Sequence, residues 1–572
     1  MAGPSALRIE MTPMRLDLRQ FPDSSALLRD YRHDFSRLAP YFAWNPHDPA
    51  AYAGQALRCD GRRYAWEDLG AILRDQNAGW GAPPIVHQRI AALCGGRGLA
   101  ILTGQQTGLF GGPLFTLYKA LTTLTLAESL ARDLGRPVVP LFWMASEDHD
   151  VAEADHVHLT DRTGSLGVVR HHAWASPPGF MPANLVLGPA IHETIAQAWE
   201  FLPPTEFSAT VKASLLEAYA PDRTLADAFA RWMVHVLGET GLVLVDASDP
   251  RLKRLAADVV RRELETAPAT SRAILEVSQS LRAGGYPTQI EARPDGVNCF
   301  LLRDGRRPLV RDEAEFRLRD SGEPLTPTDL DRLAEREPER FSPNVALRPI
   351  VQDTLFPTLA YIAGPGELAY FAQLRPVYEA FGVPMPVIVP RATLTLLEPR
   401  AAQLLERFHL GLSDLTPDPE QLASRVLRTQ LPPDLETTLT EARSGVDEIF
   451  RRVAEAVAGV DGTLKATAGQ TAGHIQGHLD QLERKAVQAL KRRETETRQQ
   501  VLRLREALMP GGRPQERVFP VLPYLVKYGP KLLQTIREHV DGPGWEHLLL
   551  PLGIDSDQAR HPTATSDGEG TA

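Results

Sequence analysis

Apolar residues recur along this chain in two different rhythms. Up to about residue 395, short unbroken apolar runs alternate with stretches of helical periodicity; beyond residue 400 the unbroken runs stop. The runs lie at 99–102, 138–144, within GLVLVDASDP at 241–250, at 359–363 and at 383–391. A strand with no polar alternation is buried on both faces, which predicts a parallel sheet covered by helices. Between the first two runs Leu114, Leu117, Leu121 and Leu124 recur at helical spacing. They predict a helix over 113–134, opened by Pro113 and closed by Gly135. Further helices are expected over 207–239, 251–285 and from Glu367, with Pro376 splitting the last. Residues 160–205 read as polar and loop-like, and 288–310, with its PDG and DGRR turns, as an antiparallel meander. Residues 1–95 read as helical, with Phe21, Tyr31, Phe35, Tyr41 and Phe42 available to pack on a sheet.

Alternating buried strands and helices predict an α/β protein with a Rossmann-like, doubly wound core and inserted connecting subdomains. After residue 400, Leu439, Ala442, Val446, Ile449, Val453, Ala456 and Val460 follow three- and four-residue steps. Val487, Leu490, Thr497, Val501, Leu504 and Leu508 repeat them, interrupted by Glu494. That heptad pattern predicts a C-terminal α-helical coiled coil of two long helices and, from it, a homodimer. The expected plan is a core over 1–395, with a helical and loop insert at about 160–240 and a β-rich insert at about 286–345. A coiled-coil dimerisation domain over 396–512 follows, then a helical segment over 513–552 packing back on the core. Polar, aperiodic residues 553–572 are expected to be disordered.

At 572 residues the chain exceeds what one hydrophobic core supports. A formal charge of −10 argues against a nucleic-acid partner, which favours a basic face. Cys59, Cys94 and Cys299 match no metal or redox spacing and suit a reducing cytosol. The first residues lack the charged-then-apolar order of a signal peptide, and no apolar run approaches the roughly 20 residues of a membrane span. The expectation is a cytoplasmic protein.

Three stretches carry candidate chemistry. In TGQQTGLFGGPLFTLYKAL a strand breaks into a glycine loop that opens a helix. Backbone N–H groups and the positive helix end can gather there around an anion. Thr103, Gly104, Gln105, Gln106, Thr107, Gly108 and Gly112 would line that hollow, and Lys119 could reach back to a phosphate or carboxylate. The loop matches neither the P-loop nor the dinucleotide fingerprint, and its glycines could equally serve only a tight turn. The second stretch is Glu147-Asp148-His149-Asp150, at the carboxyl end of an apolar strand, where open α/β sheets bind ligands. A histidine between carboxylates is a candidate general base; the plainer alternative is a loop of helix-capping acids. Asp155, His156 and His158 follow closely, but no HExxH or CxxC frame is present and no metal is expected.

The third stretch is Gly364-Pro365-Gly366-Glu367, a second strand-to-helix turn. Loops after parallel strands gather at one sheet edge, so the 103–112, 146–150, 364–367 and 390–393 loops would share a cleft. Arg348, near Gln352, and Arg391 could clamp a carboxylate there by paired hydrogen bonds, or serve as structural ion-pair partners.

The blocks TGQQTGLFGGPLFTLYKAL, PVVPLFWMASEDHDVAEADHVH, SPNVALRPIVQDTLFPTLAYIAGPGELAYFAQL and MPVIVPRATLTLLE closely resemble the cysteine-adding enzyme family of bacillithiol biosynthesis. The resemblance covers most of the chain in the family's order, with the first hundred residues weakest. It implies a Rossmann-like core with connecting inserts and a coiled coil through which the protein dimerises. It also implies a ligase that joins L-cysteine by an amide to the glucosamine nitrogen of glucosaminyl malate. Amide formation needs an activated carboxylate and a deprotonated amine. ATP with Mg is the expected activator, although the chain carries no ATP motif. On this reading the TGQQTG loop holds phosphate or carboxylate, His149 with Asp148 or Asp150 handles the amine proton, and Arg348 or Arg391 grips malate. Two alternatives stay open: a nucleotidyltransferase-like Rossmann enzyme acting on another small carboxylate, and a non-catalytic coiled-coil scaffold.

Overall fold

The computed structural model describes residues 13–20, 25–148, 151–172, 181–313, 315–415, 418–430 and 435–553. They fall into two compact units, one of 13–399 with 513–553 and one of 400–512. In the larger unit β1 (Leu99–Gln105), β2 (Val138–Met144), β3 (Val243–Asp246), β4 (Thr358–Ala363) and β5 (Val387–Pro390) form a parallel sheet. Their order is β3-β2-β1-β4-β5, the Rossmann order, whose direction of winding reverses between β1 and β4.

Successive residues of each strand serve opposite faces. Leu99 and Ile101 pack with Leu126, Leu359 and Val387, whereas Ala100 and Leu102 pack with Trp143, Val245 and Tyr361. Helix α1 (Leu114–Leu134) follows β1, and its Leu117, Leu121 and Leu124 bury against Phe142 and Met144 of β2. Each such leucine contributes about 1.5–3 kcal/mol by leaving water. Pro113 caps α1, and Gly135 ends it in the left-handed region at φ 61°. Strand β1 runs past the expected 102 because Thr103, Gly104 and Gln105 still pair with β2. The Thr103 hydroxyl is spent inside the sheet, donating to the Ile362 carbonyl at 2.9 Å.

Helix α2 (Arg348–Leu355) precedes β4; α3 (Pro365–Phe371) and α4 (Arg375–Phe381) follow it, with the break just before Pro376. The meander is a five-stranded sheet of Gly296–Leu302, Arg306–Asp312, Glu315–Leu318, Pro324–Leu325 and Phe341–Pro343. Asp304 (φ 52°) and Gly305 (φ 108°) turn its first hairpin. Helices Ala26–His33, Pro49–Asp60, Trp66–Gly79 and Pro84–Cys94 fill the N-terminal region. Tyr31 there packs edge-on against Phe35 and Phe42 and donates to the Ile388 carbonyl at 2.5 Å. Phe21 lies outside the described residues.

Two expectations need correcting. The loop-like reading of 160–205 misses the helix Ile191–Phe201 and an antiparallel hairpin, His156–Thr160 with Leu166–Arg170. The hairpin buries only Val157, Leu159 and Val169, too few apolar positions to stand out, and Asp161 closes its turn by accepting from the Thr163 and Ser165 N–H groups at 2.8 and 2.9 Å. The segment after 513 is not purely helical either. Beyond helices Leu522–Tyr528 and Lys531–His539, the strand His547–Pro551 lies between Met14–Leu16 and Thr393–Leu397. A five-residue strand is too short to display periodicity. Residues 554–572, expected to be disordered, lie outside the described residues.

The smaller unit carries α5 (Leu435–Ala458) and α6 (Leu464–Leu508). They form an antiparallel hairpin tied by Arg443 to Asp480 (3.1 Å) and Glu483 and by Gln476 to Asp447 (2.9 Å). At 1.5 Å per residue the 45 residues of α6 span about 68 Å. Val501, Leu504 and Leu508 are buried, near the helix Pro419–Gln430, while Ile449, Val453, Val460 and Leu482 are exposed. The side chains of Val487 and Leu490 lie outside the described residues. Among the described residues no helix is long and apolar enough to cross a membrane.

Candidate active site

The carboxyl ends of β1 to β4 open into a cleft of 700 Å³, where open α/β sheets take their ligands. Gln105, Trp143 and Tyr361 line it from the sheet, Glu147 and Asp148 from the loop after β2, and Glu367 and Tyr370 from α3. The β-rich insert and the start of α2 add Phe300, Arg306, Asn344 and Arg348. Loops from both halves of the sheet therefore meet there, as the strand order requires.

A buried lysine organises the floor. Lys119, only 3% exposed, sends its ammonium to the Gly104 carbonyl (2.7 Å), to Gln105 Oε1 (3.0 Å) and to the carboxylate of Glu367. Burial pushes its pKa down, and Glu367 works against that shift. Glu367 also accepts from the Tyr361 hydroxyl at 2.6 Å and from the Gly364 N–H at 2.7 Å. This corrects two expectations. Lys119 holds an internal carboxylate rather than reaching for a ligand, and the Gly364–Glu367 turn satisfies its own helix end.

Arg348 does face the cleft. Its guanidinium donates to Gln352 Oε1 (2.9 Å) and to the Tyr370 hydroxyl (3.0 Å). Gln352 is buried behind it and donates to Asp353 (2.8 Å), which accepts from the Tyr378 hydroxyl at 2.5 Å. This chain of bonds fixes the direction in which Arg348 points. Across the cleft Arg306 lies 4.3 Å over the Phe300 ring and donates to the Pro343 carbonyl at 2.9 Å. One of its nitrogens stands 3.6 Å from Asp148. Glu147 pairs with Lys253, whose ammonium also donates to the Glu339 and Phe341 carbonyls at 3.1 and 3.0 Å. The indole N–H of Trp143 is buried in the cleft wall with no hydrogen-bond partner among the described residues. The cleft thus sets guanidinium groups beside acids, of which Glu147 and Glu367 are already held by Lys253 and Lys119.

Arg391 is the clearest correction. It lies 3% exposed in a paired contact with buried Glu516, at 2.6 and 3.0 Å, and is absent from the cleft lining. Thr103 is likewise spent within the sheet, and Gln352 and Gly364 support the site from behind. Gly366 lines the cleft. His149 and Asp150, the expected base and its partner, lie outside the described residues.

The glycine loop is shaped by steric demand. Phe110, Gly111 and Gly112 have φ of 52°, 88° and 70°, and a Cβ on Gly111 would meet Trp232 at 2.9 Å. Its N–H groups are partly spent: Gly111 donates to the Tyr219 hydroxyl (3.2 Å), Gly112 to the Leu109 carbonyl (3.0 Å), and Leu114 to the Phe519 carbonyl (2.8 Å). The loop therefore does not form the open nest of donors its pattern suggests. Thr107 is fully buried. Gln105, Gln106, Gly108 and Gly112 do line a second, smaller cavity, together with Glu153, His156, His158, Arg513 and Arg517. Nearby Asp155 pairs with Arg170 and lies 3.0 Å from His156 Nδ1. Sequence reasoning missed Arg306, Asn344, Tyr370, Arg513 and Arg517. Arg306 belongs to the DGRR turn and reads as a surface charge, and the basic pair lies about 400 residues from the loop it faces.

Comparison with known proteins bears on this arrangement. Residues 14–392 match the family model described as "Bacillithiol biosynthesis BshC, N-terminal Rossmann-like domain", and 394–552 match its C-terminal coiled-coil domain. A Salinibacter ruber protein named "Putative cysteine ligase BshC" is 36% identical over 94% of this chain and 97% of its own length. Proteins of the same name from Chlorobaculum tepidum and Koribacter versatilis are 35% and 33% identical, over 86% and 94% of this chain and 90% and 100% of theirs. With the two domain models matching residues 14–392 and 394–552, the chain belongs to the BshC family of bacillithiol biosynthesis.

Proposed function

We propose that this chain, a ligase of the BshC family, joins the carboxylate of L-cysteine to the glucosamine amine of glucosaminyl malate. The observation that carries the reading is the mixed lining of the 700 Å³ cleft, with Arg306 and Arg348 beside Asp148. Arg348, braced by Gln352 and Tyr370, presents a guanidinium to the malate carboxylates. Asp148, with His149 and Asp150 next to it in sequence, takes the proton that the attacking amine must lose. ATP with Mg²⁺ would supply the leaving group that makes the cysteine carboxylate reactive. The acids of the cleft fit an amine better than a phosphate chain, whereas the basic residues of the smaller cavity fit such a chain.

The exposed heptad positions Ile449 and Val453 support assembly as a homodimer through the coiled coil. Three free cysteines fit work in the cytoplasm. The test is reconstitution of the purified chain with L-cysteine, glucosaminyl malate and ATP, assayed for the thiol product and for AMP against ADP. Product formation that needs all three supports the reading, and AMP or ADP tells which phosphate bond is broken. Absence of product with folded protein, or product without cysteine, overturns it.

A further inference from the structure

Residues 344–347 carry the chain from Phe341–Pro343, the last strand of the β-rich insert, into α2. A cleft guanidinium stands at each end of this short segment. Arg306 donates to the Pro343 carbonyl just before it, and Arg348 opens α2 just after it. Asn344, the first residue of the segment, lines the same cleft.

The Asn344 side chain works in two directions. Its Oδ1 accepts from the Ala346 and Leu347 N–H groups at 2.9 and 3.1 Å, closing the turn that starts α2. Its Nδ2 donates to Asn298 Oδ1 of the insert strand Gly296–Leu302 at 3.0 Å. The backbone repeats the connection. The Asn344 N–H donates to the Asn298 carbonyl at 3.0 Å, and the Arg348 N–H donates to the Asn344 carbonyl at 2.9 Å.

Asn298 is buried outside the cleft lining and is itself held. Its Nδ2 donates to Thr270 Oγ1 and Ser271 Oγ at 2.9 and 3.1 Å, and its N–H to Glu263 at 2.8 Å. The direction of both amides is thereby fixed, since Asn344 turned over would set its amino group against two N–H donors. Closing the turn needs only an acceptor, which a serine or aspartate also supplies. The arm to Asn298 adds nothing to that turn. What it does is tie the start of α2 to the insert that carries Arg306.

We infer that Asn344 is a positioning residue for Arg348, holding its guanidinium at a set distance from that of Arg306 by anchoring α2 to Asn298. The inference rests on the proposed reading that Arg348 binds the carboxylates of glucosaminyl malate. Gln352 and Tyr370 aim the guanidinium from α2, and Asn344 places α2 itself.

The test is calorimetric titration of the full chain with glucosaminyl malate, repeated on N344A, N344S, R348A and N344S/R348A, with thermal unfolding as control. N344A loses both contacts. N344S keeps an acceptor for the turn but is one atom too short to meet Asn298. Both should bind about tenfold more weakly, the scale of one misplaced contact to a charged group, whereas N344S should regain the stability that N344A loses. On R348A, N344S should weaken binding no further. Should R348A bind too weakly to titrate, N298A takes its place. N344S and N298A should then weaken binding alike, and together no more than either alone. Wild-type affinity in N344S, or losses that simply add in the double variant, would overturn the inference alone. A wild-type chain that does not bind glucosaminyl malate would overturn the reading of the cleft and the inference with it.

Discussion

Arg391 and Glu516 face each other in the interior of the larger unit, two guanidinium nitrogens against two carboxylate oxygens at 3.0 and 2.6 Å. Glu516 also accepts from the Leu394 N–H at 3.2 Å, and Gln515 bonds both backbone groups of Leu396 at 2.8 and 3.0 Å. The turn at 515–517 therefore clasps the strand Thr393–Leu397. Burial works against the charge of Glu516, but Arg391 prevails and holds its pKa below the usual carboxylate value. Removing either partner strands a buried charge, so Glu516→Ala and Arg391→Ala should each cost about 3–5 kcal/mol in urea unfolding. Replacing both by apolar residues should cost clearly less than the sum. A raised KM with unchanged stability in Arg391→Ala would instead make it a ligand clamp.

Lys119 and Glu367 form the corresponding pair beneath the cleft. Lys119→Met leaves Glu367 with the Tyr361 and Gly364 donors but no cation, and should lower stability by about 3 kcal/mol or more. Adding Glu367→Gln should recover part of that loss. A double-mutant cycle by thermal unfolding measures the coupling, and additive losses would refute the pairing.

Arg348 should behave differently, because its guanidinium reaches the cleft. Arg348→Ala should raise KM for the malate-bearing substrate by about ten- to a hundredfold, as the loss of a paired charge contact does. Arg348→Lys should recover little, since an ammonium lacks the planar fork. Steady-state kinetics of thiol formation, with unfolding curves as control, separate this from a loss of fold.

The strands and α1 were legible because an apolar run or a leucine stripe reports burial directly. The pairing of strands was legible only as a class, since their order depends on contacts such as Thr103 with Phe142 that local pattern does not encode. The site was harder to read. Glu147, Asp148 and Arg348 were visible as charges at strand or helix ends. Lys119 and Arg391 looked identical to them, and only the positions of Glu367 and Glu516 reveal that their charges are already spent. Arg306 and Arg513 were hidden because a surface turn gives no sign of the cavity it will cover.

Glu263 supplies a pH prediction. It is fully buried and accepts from the Asn298 N–H (2.8 Å) and the Thr270 hydroxyl (3.0 Å), yet burial raises its pKa from 4.5 to about 7. The folded chain keeps this proton up to about pH 7, while the unfolded chain releases it near 4.5. The Glu263 contribution to stability should therefore fall as pH rises through that window, by on the order of 3 kcal/mol, while His158 and His547, which burial pushes down to about 4, contribute the opposite slope below about pH 6.5. Asp353, raised mainly by burial to about 6, adds to the lower part of the slope. Glu263→Gln should flatten urea-unfolding stability between pH 6 and 7 and leave the Asp353 part below. An unchanged slope there would refute the assignment.

Ile449 and Val453 lie one helical turn apart on α5 and are 58% and 39% exposed, although both belong to the heptad row. Within one chain α5 already packs on α6 through Arg443 and Gln476, and that packing leaves these two positions exposed. A second copy covering it would remove two large side chains per chain from water, contributing about 1.5–3 kcal/mol for each. Ile449→Glu with Val453→Glu places two charges per chain into that seam and should convert the proposed dimer to monomer in sedimentation equilibrium. Helix content by circular dichroism should stay unchanged, because both positions are exposed on α5. A variant that remains dimeric at micromolar concentration would move the dimer seam elsewhere on the chain.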